Sequence, residues 1–113
     1  MDRDLASLSD IRRVATELMA MREKYALDAV LADDVLTSAV LHKAIVMGEA
    51  ANRVSTAGRA KWALPWREMT GMRNVLVHDY DGVDLSFVWR MAEQELPPLV
   101  EAIEAILGGG APA

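Results

Sequence analysis

The chain has 113 residues, of which 52% are hydrophobic, and a formal net charge of −5. This length fits one domain, and no apolar run approaches the roughly 18 to 20 residues that cross a bilayer, so we expect a soluble, cytoplasmic protein. The negative charge argues against binding nucleic acid through a broad basic surface, which would need many Lys and Arg contacts to phosphate. Because the chain has no cysteine and only two histidines, we expect no metal site and no cofactor.

The first half of the chain predicts two long helices. Apolar residues recur at steps of three and four between residues 4 and 25, which is the period of one face of an amphipathic helix. Asp28 could cap a short turn that follows this helix. The same apolar period returns after Asp33 and continues to Gly58, which we interpret as the C-cap of the second helix.

The second half predicts two more helices and a tail. Pro65 suits the first turn of a third helix, since its missing N–H would be unpaired there. A turn follows at residues 80–83, and Asp84 is the expected N-cap of a last helix, which Pro97 and Pro98 should kink. We therefore expect an all-α, up-and-down bundle of four to five helices over residues 1–107, with a flexible tail over residues 108–113.

The third helix separates into an apolar face and a polar face on a helical wheel. The face expected to be buried consists of Met69, Met72 and Leu76. The side chains that share the opposite face within roughly 40° are Arg67, Asn74 and His78. Arg73 lies at the border of the apolar stripe, from which its long side chain could reach the polar face or a neighbouring chain.

Arg73 and His78 supply the chemistry that this segment offers. Arg is permanently charged and matches phosphate oxygens, while His exchanges protons near neutral pH. Such a pair suits cleavage of RNA, in which the 2′-hydroxyl is a built-in nucleophile and no metal is required. The two residues point about 140° apart on a regular helix. Either the helix ends near His78 and frees the imidazole, or two copies of the chain share one cleft as a homodimer.

The segment R-N-V-L-V-H-D-Y, residues 73–80, resembles the signature of the HEPN superfamily, and specifically the HepT-like toxins of HEPN/MNT toxin–antitoxin pairs. Residues 47–51, 65–72, 82–84 and 96–99 resemble further short motifs of that family, so the similarity covers nearly the whole chain.

This resemblance implies a homodimeric, metal-independent endoribonuclease that acts on RNA, with no DNA or membrane partner expected. Arg73 would bind the phosphate, His78 would serve as general base or acid, and Asn74 would orient them. It also implies a cognate MNT nucleotidyltransferase antitoxin that transfers AMP to Tyr80, which would place a charged nucleotide beside the cleft.

Several other polar and aromatic residues could have either a structural role or a role in binding RNA. Arg67 could contact RNA or pair with a carboxylate, and His42 is expected on the surface. Gly48 should permit a close helix crossing, and Glu49 could tether a neighbouring arginine. Aromatic residues that could stack on bases, but are more often core residues, are Trp62, Trp66 and Trp89. Basic residues that could track phosphates or simply solvate a helix end are Arg53, Arg59 and Lys61.

Two other functions compete with the ribonuclease. The bundle could be a non-catalytic helical binding subunit of a nucleotidyltransferase complex. It could also bind a nucleotide for an enzyme acting on small molecules, with Arg73 holding a triphosphate.

Overall fold

The fold is described from a computed structural model that covers residues 2–78 and 85–108, with side chains as far as Arg73 and again from Leu85. Within these residues every regular element is a helix, which confirms the predicted all-α class. The predicted turn at residues 80–83, the Asp84 cap and the tail beyond Gly108 lie outside them. The helices are α1 (Arg3–Lys24), α2 (Leu27–Leu31), α3 (Asp34–Arg53), α4 (Thr56–Lys61), α5 (Trp66–His78), α6 (Ser86–Gln94) and α7 (Leu96–Leu107).

The long helices α1 and α3 form the centre of the bundle. α1 packs against α3, α6 and α7, and α3 also packs against α5. The apolar stripe predicted for α1 is buried, as Leu8, Ile11 and Leu18 have no exposed surface. Asp2 begins α1 by accepting a hydrogen bond from the amide of Asp4 at 2.7 Å, and Asp33 caps α3 through the amides of Val35 and Leu36. No helix in the described parts of the chain is long and apolar enough to span a membrane.

Two predicted caps are wrong. Asp28 lies inside α2 and does not cap it, since no side chain caps that helix. Gly58 does not end the second long helix, because α3 stops at Arg53 and a new helix, α4, begins after Ser55. The Ser55 hydroxyl accepts a hydrogen bond from the Gly58 amide at 3.0 Å, so Gly58 belongs to the first turn of α4.

The predicted kink in the last helix is a complete break. α6 and α7 are separated at Glu95, and proline lies in the first turn of α7. Proline cannot donate the backbone hydrogen bond that would join the two segments into one helix, but it is well tolerated in a first turn. Together with the separate α4, this break explains why the described residues contain more helices than predicted.

Candidate active site

The helix α5 carries the candidate site and is held by a buried face. Met69 and Met72 are fully buried, as the wheel predicts. Arg67 and Arg73 are exposed. The backbone is helical through His78, whereas the side chains of residues 74–78 lie outside the described residues. The predicted division of α5 into a core face and a solvent face is therefore confirmed as far as Arg73.

Gly48 lets α3 and α5 approach each other closely beneath Arg73. A Cβ atom at position 48 would lie 2.7 Å from the Cβ of Arg73, 3.1 Å from its amide nitrogen and 3.2 Å from the carbonyl oxygen of Met69. A side chain at this point would collide with the backbone of α5 and could not move aside. The predicted close crossing is confirmed, and Arg73 is the residue at the crossing point.

Glu49, the next residue of α3, contacts the side chain of Arg73. Its Oε1 atom lies 3.8 Å from the Nε of Arg73, and the two side chains are 51% and 44% exposed. An exposed pair of this kind contributes little to stability, and it places a carboxylate beside the guanidinium group of Arg73. The prediction that Glu49 tethers an arginine is confirmed.

The outer part of the Arg73 guanidinium group is suited to an anion. Glu49 pairs with the inner Nε atom, and the terminal nitrogens have no ion pair with any other described residue. Because guanidinium is planar and presents parallel N–H donors, these nitrogens can donate to two oxygens of one phosphate group.

Two tryptophans fix the start of α5. The indole Nε1 of Trp66 donates a hydrogen bond to the carbonyl oxygen of Trp62 at 2.9 Å. Both rings are half-buried and pack against the core, and Trp89 is 8% exposed. The core interpretation of the three tryptophans is therefore confirmed, and a role in stacking on RNA bases is not supported.

The three basic residues near the end of α3 have separate environments. Arg59 donates to the carbonyl oxygens of Val54 and Asn52, so it satisfies the C-terminal end of α3. The Lys61 ammonium group lies 5.5 Å from the centre of the Trp62 ring. Arg53 pairs with Asp10 at 3.7 Å and is half-exposed. Their partners differ, so the three residues do not act as one continuous basic rim, and Arg53 pairs with a carboxylate of α1.

The other predicted site residues are either exposed or outside the described residues. His42 is exposed, as expected. Arg67 is exposed and has no ion-pair partner in the described part of the chain. The side chains of Asn74 and His78, and the whole of Tyr80, lie outside the described residues, so their roles stay predictions. Within residues 2–78 and 85–108, no three His, Cys, Asp or Glu side chains are grouped as metal ligands would be.

Comparison with known proteins identifies relatives along nearly the full chain. A "Probable ribonuclease HepT" of Thermococcus cleftensis is 28% identical over 100 residues, which are 88% of this chain and 91% of the relative. A protein of Caldanaerobacter subterraneus subsp. tengcongensis, provisionally named an RNase, is 36% identical over 76 residues, covering 66% of this chain and 68% of the relative.

A protein of Methanocaldococcus jannaschii, also provisionally named an RNase, is 26% identical over 102 residues, or 89% of this chain and 94% of the relative. No solved structure matched the chain. The model of the family described as "Ribonuclease HepT-like" matches residues 7–106, which include α5 and the whole R-N-V-L-V-H-D-Y segment. The chain therefore belongs to the HepT-like ribonuclease family, within the HEPN superfamily, and the prediction of an enzyme that cleaves RNA is confirmed at the level of that family.

Proposed function

We propose that this protein is a metal-independent endoribonuclease toxin in which Arg73 and His78 cleave RNA. The observation that carries the proposal is the placement of Arg73: its backbone lies against Gly48, and its exposed guanidinium group has a contact with Glu49 at Nε and no ion pair with any described residue at its terminal nitrogens. Membership of a ribonuclease family supplies the substrate class for that arginine.

In the proposed reaction the chain supplies charge and a proton acceptor. Arg73 binds the non-bridging oxygens of the scissile phosphate and stabilises the extra negative charge that develops on them. His78 takes the proton from the 2′-hydroxyl, whose oxygen attacks phosphorus, or returns a proton to the departing 5′-oxygen. The products are a 2′,3′-cyclic phosphate and a 5′-hydroxyl end.

A homodimer would complete the site. The helix α5 includes both Arg73 and His78, and five positions on a regular helix correspond to side chains about 140° apart. Two such helices related by a two-fold axis would bring Arg73 of one copy beside His78 of the other. We therefore expect the active form to have twice the chain mass in light scattering, and a strictly monomeric active protein would contradict this part of the proposal.

The chemistry is tested by the products formed in excess EDTA. The purified protein should cleave a synthetic RNA and leave 2′,3′-cyclic phosphate ends, which mass spectrometry distinguishes from linear phosphates. An RNA with 2′-deoxyribose at the cleaved nucleotide should remain intact, since it lacks the nucleophile. A stable complex with a nucleotidyltransferase, without cleavage of RNA at any protein concentration, would instead support the non-catalytic binding subunit.

Regulation by a cognate MNT antitoxin forms the second part of the proposal. Transfer of AMP to Tyr80, two residues beyond His78, would add a bulky anion that repels the RNA backbone. After coexpression with a gene for a candidate MNT nucleotidyltransferase, the intact mass should increase by one or more AMP groups. The increase should disappear in Tyr80→Phe, and an unchanged mass of the parent chain would contradict modification.

A further inference from the structure

Two arginines line a pocket at the junction of α1 and α3, outside the candidate active site. A pocket of about 230 Å³ is lined there by the first turns of α1 and the end of α3. Its lining residues are Arg3, Ala6, Ser7, Asp10 and Arg53. The lining therefore contains two guanidinium groups and one carboxylate, a local excess of positive charge on a chain whose net charge is −5.

The carboxylates near this pocket are already engaged. Asp10 is shared between Arg53 at 3.7 Å and Arg13 at 3.9 Å. Asp4, whose pKa is lowered chiefly by hydrogen bonds from Ser55, accepts from the amide and the hydroxyl of that residue. Neither carboxylate therefore neutralises Arg3 and Arg53 completely, and an anion in the pocket would find donors from both α1 and α3.

Ser7 adds a polar group that is directed to the pocket. It is 6% exposed, the single buried polar residue in the described part of the chain. Ser7 is one of the residues that line the pocket. The Ser7 hydroxyl can donate a hydrogen bond to an oxygen of an anion bound there.

The pocket lies one helical turn along α3 from Glu49, the residue that pairs with Arg73. Glu49, which pairs with Arg73, and Arg53 are four residues apart in α3 and therefore share one face of that helix. The distance between these positions along the helix axis is about 6 Å. The carboxylate of Glu49 contacts Arg73 and is one turn from Arg53. It would repel a phosphate placed directly on it, so an anionic chain would contact the protein at two separate points.

We infer that this pocket is a second phosphate subsite, in which Arg3, Arg53 and Ser7 bind a backbone phosphate flanking the one held by Arg73. The inference rests on the proposed cleavage of RNA and adds to it a means of binding a longer strand. Two anchored phosphates would orient the strand across α3, whereas Arg73 alone would fix only one point. Because the chain has a net charge of −5, it would bind RNA through a few local contacts of this kind and not through a broad basic surface.

The subsite is tested by binding as well as by cleavage. The variants are Arg3→Gln, Arg53→Gln and Ser7→Ala. Arg90→Gln serves as the matched control, because Arg90 is an exposed arginine of α6 on a different pocket. Circular dichroism establishes that each variant is folded. Fluorescence anisotropy measures binding to a single-stranded RNA carrying 2′-O-methyl groups, which cannot be cleaved through its 2′-oxygen.

Each arginine variant should weaken binding about tenfold and reduce the slope of log Kd against log salt concentration by roughly 0.7. Ser7→Ala should weaken binding less, because it removes one uncharged donor. In cleavage, the loss of kcat/KM should be larger on an extended RNA than on a dinucleotide that carries only the scissile phosphate.

Two outcomes are distinguishable. If Arg3→Gln and Arg53→Gln bind the modified RNA as Arg90→Gln does, the subsite is wrong even when the parent protein cleaves RNA normally. If the parent cleaves no RNA, the proposed ribonuclease function fails, and the binding measurement still decides whether the pocket holds phosphate.

Discussion

Gly48 and Glu49 act on Arg73 in two different ways. Gly48 removes the side chain that would separate α3 from α5, so the backbone of Arg73 lies directly against α3. Glu49 then contacts the Nε atom at the base of the guanidinium group. Gly48 thus sets the position of the Arg73 backbone, and Glu49 places a carboxylate beside the base of its guanidinium group.

Gly48→Ala should therefore damage the site through a single methyl group. The new Cβ cannot fit 2.7 Å from the Cβ of Arg73, so the helices must separate at a cost of roughly 1–3 kcal/mol. We expect a lower melting temperature and a loss of RNA cleavage measured under conditions where the variant is still folded.

Gly71→Ala is the matched control for stability. No described atom lies within 4 Å of a Cβ at position 71, and alanine is favoured over glycine inside a helix by roughly 0.5–1 kcal/mol. Its melting temperature should equal or exceed that of the parent. A Gly48→Ala protein that melts and cleaves RNA like the parent would show that the close crossing is not required.

At the level of helices, two partly buried carboxylates connect α1 to the α3–α4 region. Asp4 accepts two hydrogen bonds from Ser55, at 2.9 Å and 2.5 Å. Glu17 accepts one from the Lys43 ammonium group at 2.8 Å. Hydrogen bonds from Ser55 lower the pKa of Asp4, and the hydrogen bond from Lys43 lowers that of Glu17. Both contacts depend on the ionised carboxylate.

These contacts predict a loss of stability in acid. A carboxyl group with a lowered pKa in the folded state stabilises the fold above its ordinary pKa, here 3.8 for Asp4 and 4.5 for Glu17, and the stabilisation is lost as pH falls through the folded-state value. Urea unfolding at pH 6 and pH 3 should show this loss. The Asp4→Asn, Glu17→Gln double variant should lose less stability between the two pH values than the parent does.

The control for this measurement is Asp28→Asn, at an exposed position of α2, which should keep the acid sensitivity of the parent. Equal losses in the parent and in the double variant would contradict the assignment of acid sensitivity to these two contacts.

The helices that the sequence predicts well are those whose own periodicity determines their packing. The apolar stripe of α1 and the division of α5 into two faces depend on residues three and four apart, and both are found. The interpretation of Gly58 as a C-cap is wrong because α3 ends at Arg53 and the Ser55 hydroxyl caps a new helix, α4. Gly58 also has a non-local contact. It is buried against Asp4 of α1, whose Oδ2 would lie 2.6 Å from a Cβ at position 58, and no local pattern indicates that contact.

The site residues also differ in whether a local pattern predicts them. A motif along one helix identifies Arg73, and the adjacent pair Gly48 and Glu49 gives a hint of a close crossing. By contrast, the pocket lined by Arg3, Ser7 and Arg53 contains residues from the start of α1 and the end of α3, which are far apart in the sequence. Only the packing of α1 against α3 brings these side chains together, so a periodicity in the sequence could not predict them.

For the whole molecule, a homodimer could be favoured by exposed apolar surface or by an active site that one chain does not complete. The exposed large hydrophobic side chains in the described residues are Leu31 and Val35, at the junction of α2 and α3. Two such residues do not make an extensive apolar patch. The divergence of Arg73 and His78 along α5 is the stronger reason to expect that two copies complete one cleft.

The central claim is that Arg73 and His78 perform RNA cleavage on a scaffold that does not depend on them. The most direct measurement is the initial rate of cleavage of one synthetic RNA in excess EDTA by the parent, Arg73→Ala, His78→Ala and the surface control Arg90→Ala, each with its fold verified by circular dichroism. We expect the control to match the parent and the two site variants to lose at least about a hundredfold in rate, a magnitude typical of general acid–base catalysis. Folded Arg73→Ala and His78→Ala proteins that cleave the RNA as fast as the parent would contradict the claim.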